Sequence, residues 1–316
     1  MSSFVPTSNN ILSSHVIQNP FTKQDVAMSG STADFDWILV SDGHGRGLYR
    51  HALRELFINM DWIQALVLGI VQGLTEFLPI SSTAHLRIIP HLLDWQDPGT
   101  EFSAVIQLGT LLAVMLYFWN DVVLLSRAAM VSLWHRKLFE TSDSKLAWSI
   151  AAGTIPVVVA GLGFKDIIKT DARQLWLIGT ALIILAIGLY AAERLSQLNR
   201  QIGQLKFLQI QLIGLTQALA LIPGCSRSGS TIMGGLIVGL KREEAARFSF
   251  LLGIPAILGS GIYELAELLE TGINSSDYLN LIVGVFASFF VGYLSIEFLL
   301  RFLRIHGTLV LSLIHI

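Results

Sequence analysis

The sequence predicts an all-α polytopic membrane protein that contains an inverted-topology repeat with re-entrant helical hairpins. Three observations lead to this fold class. The chain of 316 residues is 53% hydrophobic and has a mean hydropathy of +0.61. It contains long runs without charged residues, and two shorter apolar segments are each interrupted by a proline. A lipid bilayer is therefore the expected surroundings of the chain.

The charge and cysteine content exclude several other classes of protein. Only 14% of the residues are charged, against about 25% in soluble domains. The net charge of −2 provides no basic field, so we expect no nucleic-acid partner. The one cysteine, Cys225, excludes a disulfide framework and a cysteine-rich metal site, and its apolar and glycine neighbours favour a packing role.

Five uncharged runs are long enough to cross a membrane. A hydrocarbon core of about 30 Å requires roughly 20 apolar residues in a helix. A soluble protein would seldom bury five helices of that length. The predicted spans are Phe102–Asn120, Leu146–Phe164, Gln174–Ala192, Phe207–Ser226 and Tyr278–Ile296.

Two further apolar segments are too short or too broken to span the bilayer easily. Trp62–Thr75 is followed by Glu76 and Pro79, and Ser228–Leu240 follows Pro223-Gly224. Apolar segments that glycine or proline interrupts in matching places are typical of re-entrant hairpins that line a cavity. We refer to the turns around Pro79 and Pro223, with the helices on either side, as the first and second broken segments.

An internal repeat relates the two broken segments. The sequence GLTEFL at Gly73–Leu78 resembles GLTQAL at Gly214–Leu219, and Phe102-Ser103 recurs as Phe248-Ser249 at a similar offset. Chance similarity between apolar segments is the alternative, but two matches in the same order favour a duplication. The copies have opposite topology if an odd number of spans separates them.

The chain is expected to contain a membrane domain preceded by a different kind of segment. Residues 1–59 are predicted to be either disordered or a mis-called N-terminal extension, because their first part is rich in Ser, Thr and Asn. The membrane domain is expected over 60–310, with repeats at about 60–170 and 200–305. A slight excess of basic residues favours a cytoplasmic location for the connections between the predicted spans at 121–145 and 193–206.

The first broken segment places polar side chains within an apolar helix. Gln72 and Glu76 share one face of the predicted helix, one turn apart. A carboxylate in an apolar stretch is costly unless it is paired or hydrated, which indicates function, although a structural hydrogen bond to a neighbouring helix is the alternative. Hydroxyls that can hold phosphate oxygens, and an imidazole that can transfer protons or attack phosphorus, follow the proline. These residues are Ser81, Ser82, Thr83 and His85.

The second broken segment has the composition of an anion site at the start of a helix. Backbone N–H groups and the helix dipole favour negative charge there, and the guanidinium of Arg227 can bind phosphate through two parallel hydrogen bonds. The alternative is an arginine that extends to the membrane surface among helix-capping serines. The other predicted phosphate-binding residues of this segment are Ser226, Ser228, Gly229, Ser230 and Thr231.

This combination of side chains suits phosphoryl transfer on a lipid. Glu76, together with the Gln72 amide, is the predicted ligand of a divalent cation that bridges phosphate oxygens, and Arg227 would neutralise charge as the bond breaks. Oxygen ligands favour hard Mg²⁺ or Ca²⁺ over zinc. We therefore expect a phosphate-bearing lipid as the substrate.

Two long motifs resemble the signatures of the bacterial undecaprenyl-diphosphate phosphatases, the bacitracin-resistance family. They are Gln72-x-x-x-Glu76 with Pro79–His85 (PISSTAH), and Pro223–Thr231 (PGCSRSGST). The resemblance extends from about Met60 to Ile305. It implies hydrolysis of undecaprenyl diphosphate to the carrier monophosphate that peptidoglycan synthesis reuses, and hence bacitracin resistance. It also implies a divalent metal and a site that faces the outer side of the bacterial plasma membrane.

The resemblance also assigns residues position by position. It leaves open whether His85, Ser82 or water bound to the metal attacks phosphorus. Two positions depart from the usual pattern: Ser103 stands where relatives often have Glu, and Ala84 where Gly is common. The first departure removes one carboxylate from the metal side of the site. The residues to which the resemblance assigns catalytic roles are Glu76, Ser82, His85 and Arg227.

The resemblance implies a further membrane helix after Gly307, although few residues follow it. Leu311–Ile316 match the in-frame translation of a transposon end that is used to prepare sequencing libraries. We therefore expect residues 311–316 to be a sequencing-adapter artefact and the final helix to be missing. A genuine short apolar tail is the alternative.

A transporter or flippase of polyprenyl phosphate lipids is the main alternative function, since transporters also have inverted repeats and broken helices. Such a protein would use Arg227 to bind phosphate but would not need His85 for chemistry. A phosphatase of the phosphatidate type is excluded, because neither His306 nor His315 is followed by the required aspartate. The sequence leaves a homodimer open.

Overall fold

The computed structural model describes residues 15–18, 25–28, 38–40, 60–164, 174–271, 275–308 and 310–311. The chain forms two compact units, 1–59 and 60–316. In the described part of the first unit, three short antiparallel strands pair in sequence order, with His15 opposite Met28 and Met28 opposite Ile38. The strands are β1 (His15–Gln18), β2 (Asp25–Met28) and β3 (Ile38–Val40).

The three strands lie within residues 1–59, which the sequence predicts to be either disordered or a mis-called extension. Short runs of β-branched residues, such as Val16-Ile17, favour extended backbone even where the surrounding sequence is polar. The remainder of 1–59 lies outside the described residues, so its disorder stays a prediction. The same holds for the alternative, a mis-called extension.

The second unit is all-α, as the sequence predicts. Its described backbone contains ten α-helices and two short 3₁₀ turns, at Ile202–Gln204 and Leu219–Leu221. The helices are α1 (Trp62–Phe77), α2 (Ser82–Leu92), α3 (Gly99–Tyr117), α4 (Trp119–Trp134), α5 (Ser142–Gly163), α6 (Leu175–Leu195), α7 (Phe207–Ala218), α8 (Arg227–Ile237), α9 (Arg242–Thr271) and α10 (Ser275–Ile305).

Several helices are long and apolar enough to cross a membrane, which confirms a multi-pass membrane protein. Four described helices qualify singly, within α5, α6, α9 and α10. Helices α3 and α4 qualify only as a pair, with a bend of 85° between them after Tyr117. The predicted span Phe102–Asn120 therefore corresponds to the first arm of a bent element.

One predicted span needs correction, and one span was missed. The run Phe207–Ser226 is not one helix: α7 ends at Ala218 and a 3₁₀ turn follows, because Pro223 cannot continue the helical hydrogen bonding. The span Arg242–Ala266 was not predicted, because charged residues interrupt its first two turns. These charges are paired: Arg242 contacts Glu193, and Arg247 contacts Asp121.

Close helix packing through glycine holds the two broken segments in place. A Cβ atom at Gly69 of α1 would lie 2.5 Å from the carbonyl oxygen of Gly284 on α10. A Cβ atom at Gly214 of α7 would lie 2.4 Å from the carbonyl oxygen of Gly153 on α5. Small residues let helices approach closely in a membrane, where packing replaces the hydrophobic effect. The first helix of each repeat thus packs against a helix of the other repeat.

The aromatic core continues this packing to the end of α1. Phe77, fully buried, meets Phe250 of α9 edge-to-face, with ring centroids 5.2 Å apart. Phe77 follows Glu76 directly, so its burial against α9 fixes the end of the helix that carries the carboxylate.

The C-terminal tail is described only in part. Leu311 is buried in the main hydrophobic cluster, and 312–316 lie outside the described residues. The expectation that 311–316 derive from adapter sequence, and that a final helix is missing, stays a prediction.

Candidate active site

The first broken segment makes a tight, strained turn between two helices. Helix α1 ends at Phe77, and Ser81 caps α2 by accepting a hydrogen bond from the Ala84 amide, 3.4 Å away. The backbone of Ser81 has φ +67°, a left-handed conformation that is costly for a residue other than glycine. The turn presents Ser81, Ser82 and Thr83 at the start of α2.

The second broken segment reaches the same kind of helix start by a longer route. Gly224 has φ +97°, and a Cβ atom there would lie 2.4 Å from the Ile178 carbonyl oxygen, so only glycine fits. Ser226 then caps α8 by accepting a hydrogen bond from the Gly229 amide at 3.1 Å. The helix therefore begins at Arg227, as the anion-site interpretation requires.

The two broken segments touch each other. The hydroxyl of Ser228 donates to the Leu78 carbonyl oxygen at 3.1 Å, which joins the second segment to the first. A Cβ atom at Gly229 would lie 3.4 Å from Pro79. The polar residues that the sequence placed in two distant motifs therefore form one site.

Glu76 lies at the centre of this site and is only 4% exposed. Its Oε2 accepts hydrogen bonds from Gln72 at 3.0 Å and from the Ser82 hydroxyl at 2.8 Å. Its Oε1 accepts from Gln107 at 3.0 Å and from Arg227 at 3.0 Å. Four donors and one positive charge thus compensate the cost of placing a carboxylate among apolar helices.

Arg227 does not extend to the membrane surface. Its side chain is 13% exposed and forms an ion pair with Glu76. Its Nη1 donates to the Ser249 carbonyl oxygen at 3.5 Å, and a Cβ atom at Gly253 would lie only 1.7 Å from Nη1. Because no side chain fills position 253, the guanidinium can lie against α9 and reach the first broken segment.

His85 is oriented by the strained turn. Its Nδ1 lies 2.9 Å from the Ser81 carbonyl oxygen. A carbonyl oxygen can only accept a hydrogen bond, so Nδ1 carries a proton, and in the neutral imidazole Nε2 then keeps its lone pair. The ring is half-buried, and this tautomer leaves Nε2 available as a base or a nucleophile. No described residue forms a hydrogen bond with Nε2.

The remaining hydroxyls divide into two groups. Ser81 bonds Thr83 at 3.1 Å, and Ser226 bonds Ser228 at 3.0 Å, so the two helix starts carry the same hydroxyl pair. Thr231 is buried, and its Oγ1 lies 2.5 Å from the Ser249 hydroxyl. The roles of these residues in phosphate binding stay predictions.

Sequence reasoning missed Gln107 and the contact of Arg227 with Ser249 and Gly253. The matching pairs Phe102-Ser103 and Phe248-Ser249 indicated that α3 and α9 belong to the repeat, and both missed contacts lie within two turns of them. The hydroxyl of Ser103 donates to its own helix, at the Gly99 carbonyl oxygen. Gln107, one turn further on, is therefore the residue of α3 that contacts Glu76.

The donor set of the site fits a hard cation. Among the described residues, no three of His, Cys, Asp and Glu form a group that could hold a metal. The available ligands are the Glu76 carboxylate, the Ser82 hydroxyl and the amide oxygens of Gln72 and Gln107, to which no described residue donates. An all-oxygen set of this kind suits Mg²⁺ or Ca²⁺ rather than a softer metal.

A buried carboxylate–arginine pair, a histidine with a free nitrogen and two hydroxyl-rich helix starts define an integral membrane hydrolase. The chain belongs to the family of the bacitracin resistance protein BacA, whose family model matches residues 65–316.

Relatives that are named undecaprenyl-diphosphatase cover most of the chain. The protein of Chloroherpeton thalassium is 51% identical over 258 residues, which are 79% of this chain and 91% of the relative. The protein of Prosthecochloris aestuarii is 50% identical over 259 residues, 79% of this chain and 92% of the relative. The protein of Myxococcus xanthus is 51% identical over 251 residues, 79% of this chain and 84% of the relative. The family resemblance found in the sequence is thereby confirmed.

Proposed function

We propose that the chain removes the terminal phosphate of undecaprenyl diphosphate, giving undecaprenyl phosphate and inorganic phosphate. The observation that carries this proposal is the contact between Arg227 and Glu76, which joins the two motifs into one buried polar centre. The names of the relatives support the same substrate. Recycling of the lipid carrier for peptidoglycan synthesis, and bacitracin resistance, follow from this reaction.

The residues divide the chemistry between them. A nucleophile attacks the terminal phosphorus, the anhydride P–O bond breaks, and the bridging oxygen leaves with the lipid monophosphate. Arg227 and the N–H groups at the starts of α2 and α8 stabilise the charge that develops on the phosphate oxygens. The lone pair on Nε2 of His85 either attacks phosphorus, or takes the proton from a water molecule or from Ser82 as that oxygen attacks. If His85 or Ser82 attacks, water then cleaves the bond between phosphorus and the enzyme and releases inorganic phosphate.

A divalent cation, Mg²⁺ or Ca²⁺, is part of the proposal. Glu76 and Gln72 would hold it, with the oxygens of Ser82 and Gln107 as further ligands. When bound, it would supply positive charge to the phosphate oxygens. Glu76 already accepts hydrogen bonds at both oxygens, so cation binding requires rearrangement of its present donors.

We further propose that the protein lies in the bacterial plasma membrane with its site open to the outer side. The repeats would have opposite topology, with the broken segments as re-entrant hairpins. The repeated helix caps at Ser81 and Ser226 support the internal repeat on which this arrangement depends. Mass measurement of the detergent-solubilised protein would test for the homodimer that the sequence leaves open.

Release of phosphate from undecaprenyl diphosphate in detergent tests the function. We expect release by the unaltered protein, loss of release with EDTA and its recovery with Mg²⁺. Glu76→Gln should abolish release. Glu297→Gln is the matched control, because Glu297 of α10 pairs with Arg301 and accepts from Tyr117 of α3, and neither partner belongs to a broken segment. Binding of the lipid without phosphate release would contradict the proposal and favour a polyprenyl phosphate flippase.

A further inference from the structure

Several buried polar atoms near the site have no hydrogen-bond partner in the described structure. Seven such side-chain atoms occur among the described residues, and four of them lie on α7 and α8. They are both amide atoms of Gln217, Nε of Arg227 and the hydroxyl of Ser230. Gln217 and Ser230 are each 0% exposed. A buried unpartnered polar group costs about 1–3 kcal/mol, so this concentration on two packed helices needs an explanation.

The repeat relates these residues to the ones that surround Glu76. Gln217 follows Gly214 as Glu76 follows Gly73, and each lies near the C-terminal end of the first helix of its repeat. Ser230 is the fourth residue after its capping serine, Ser226. His85 has the same position after Ser81.

The contacts of Glu76 indicate what Gln217 faces. Glu76 meets Gln107 of α3, which lies four residues after Ser103. The fourth residue after the matching Ser249 is Gly253, against which the Arg227 guanidinium lies. The repeat therefore places the Gln217 amide toward the guanidinium. In α8, Arg227 and Ser230 are three residues apart and share one helix face.

The chemistry of these groups favours an anion. The Gln217 amide supplies two N–H donors, Arg227 supplies its Nε–H and Ser230 an O–H. Arg227 and Ser230 lie in the first turn of α8, at the positive end of the helix dipole. A lipid diphosphate carries two phosphate groups. The centre at Glu76, Ser82 and His85 acts on only one of them.

We propose that Gln217, with Ser230 and Nε of Arg227, binds the phosphate group that stays on the lipid. The second repeat then supplies a subsite for the retained phosphate, and the first repeat supplies the centre that acts on the departing phosphate. The enzyme would thereby select lipid diphosphates over lipid monophosphates. This inference rests on the proposed hydrolysis of a lipid diphosphate.

Replacement of Gln217 by methionine tests the subsite without requiring catalysis. The probe is inorganic diphosphate, and the readout is the thermal midpoint of the detergent-solubilised protein. An amide that is satisfied only by ligand adds nothing to the stability of the empty protein, so Gln217→Met should keep or raise its midpoint. The same variant should lose the rise in midpoint that inorganic diphosphate gives the unaltered protein. Ser295→Ala is the matched control, because Ser295 is another buried, unpartnered hydroxyl, on α10 outside both segments.

Kinetics separate this role from a structural one. We expect Gln217→Met to raise KM for undecaprenyl diphosphate about tenfold to a hundredfold, with a smaller change in kcat. The KM of Gln217→Asn should lie between those of the unaltered protein and the methionine variant. A lower midpoint with KM unchanged, or undiminished stabilisation by inorganic diphosphate, would overturn the inference. If the unaltered protein releases no phosphate from the lipid but is stabilised by inorganic diphosphate through Gln217, the proposed function fails and the anion subsite stands.

Discussion

The two broken segments share a pattern of helix capping but differ in their other side chains. In each, a serine caps the helix that follows and bonds a second hydroxyl two residues later. At matching positions, however, the first segment carries the carboxylate and the imidazole, whereas the second carries the guanidinium. The matched pairs are Glu76 and Gln217, Ser82 and Arg227, His85 and Ser230, and Gln107 and Gly253.

This difference shows how a duplicated scaffold becomes asymmetric. Two buried copies of Glu76 facing each other among apolar helices would repel, and each would need its own counter-charge. Placing Arg227 in one copy and Glu76 in the other gives a single neutralised pair, 3.0 Å apart. The glycine at 253 then provides the room that the larger side chain requires.

Removal of the Arg227 guanidinium should reduce activity more than any other substitution in the two segments. Arg227→Ala takes away the charge that neutralises both Glu76 and the phosphate oxygens. We expect kcat for phosphate release to fall about a thousandfold. The kcat of Arg227→Lys should lie between those of Arg227→Ala and the unaltered protein. Arg247→Ala serves as control, since Arg247 pairs with Asp121 away from the segments. Near-normal turnover of Arg227→Ala would contradict the assignment of the second segment as the anion site.

Loss of the imidazole tests whether chemistry belongs to the first segment. His85→Gln removes the Nε2 lone pair, and we expect phosphate release to fall by a few hundredfold. His91→Gln, an exposed residue on the same helix, is the control. A fully active His85→Gln variant would exclude His85 as base or nucleophile.

A single methyl group at position 253 should break the ion pair between Arg227 and Glu76, which joins the two segments. In Gly253→Ala, the new Cβ would overlap Nη1 of Arg227 and displace the guanidinium from Glu76. Since misplacement by about 1 Å can cost 10²-fold, we expect a hundredfold loss of kcat. Gly259→Ala on the same helix has no atom within 4 Å of its Cβ and should behave normally. Equal activity of the two alanine variants would show that Arg227 does not need this position.

Replacement of Gln107 should cause the smallest and most specific loss of activity. Gln107→Leu removes one of four donors to Glu76, and we expect roughly a tenfold loss of activity. A crystal structure of the variant should show Glu76 less fixed but still paired with Arg227. Gln211→Leu removes a comparable amide that donates to the Ser149 carbonyl oxygen outside the site. If both variants lose activity equally, the effect is one of stability and not of the Glu76 environment.

The class of fold and most of the site could be predicted because they depend on local features. Uncharged runs, proline breaks and clustered hydroxyls are properties of contiguous sequence, and they predicted both broken segments. The donation from Gln107 to Glu76 could not be predicted, because it depends on how α3 packs against α1. The run Phe207–Ser226 was wrong as a span for the opposite reason: its composition is uniform, but Pro223 interrupts it.

The packing of α1 against α10 also has a consequence for the synthesis of the protein. Asn280 donates to the Met60 carbonyl oxygen across 220 residues of sequence, whereas Gln211 reaches Ser149 across only 62. Translation adds about 5–20 residues per second. Helix α1 must therefore remain in the membrane for roughly 10 to 40 s before α10, which packs against its glycine face, has been synthesised. Helix α5, by contrast, has already been synthesised when α7 enters the membrane. Ribosome-bound chains that stop before α10 should therefore have the glycine face of α1 exposed to lipid.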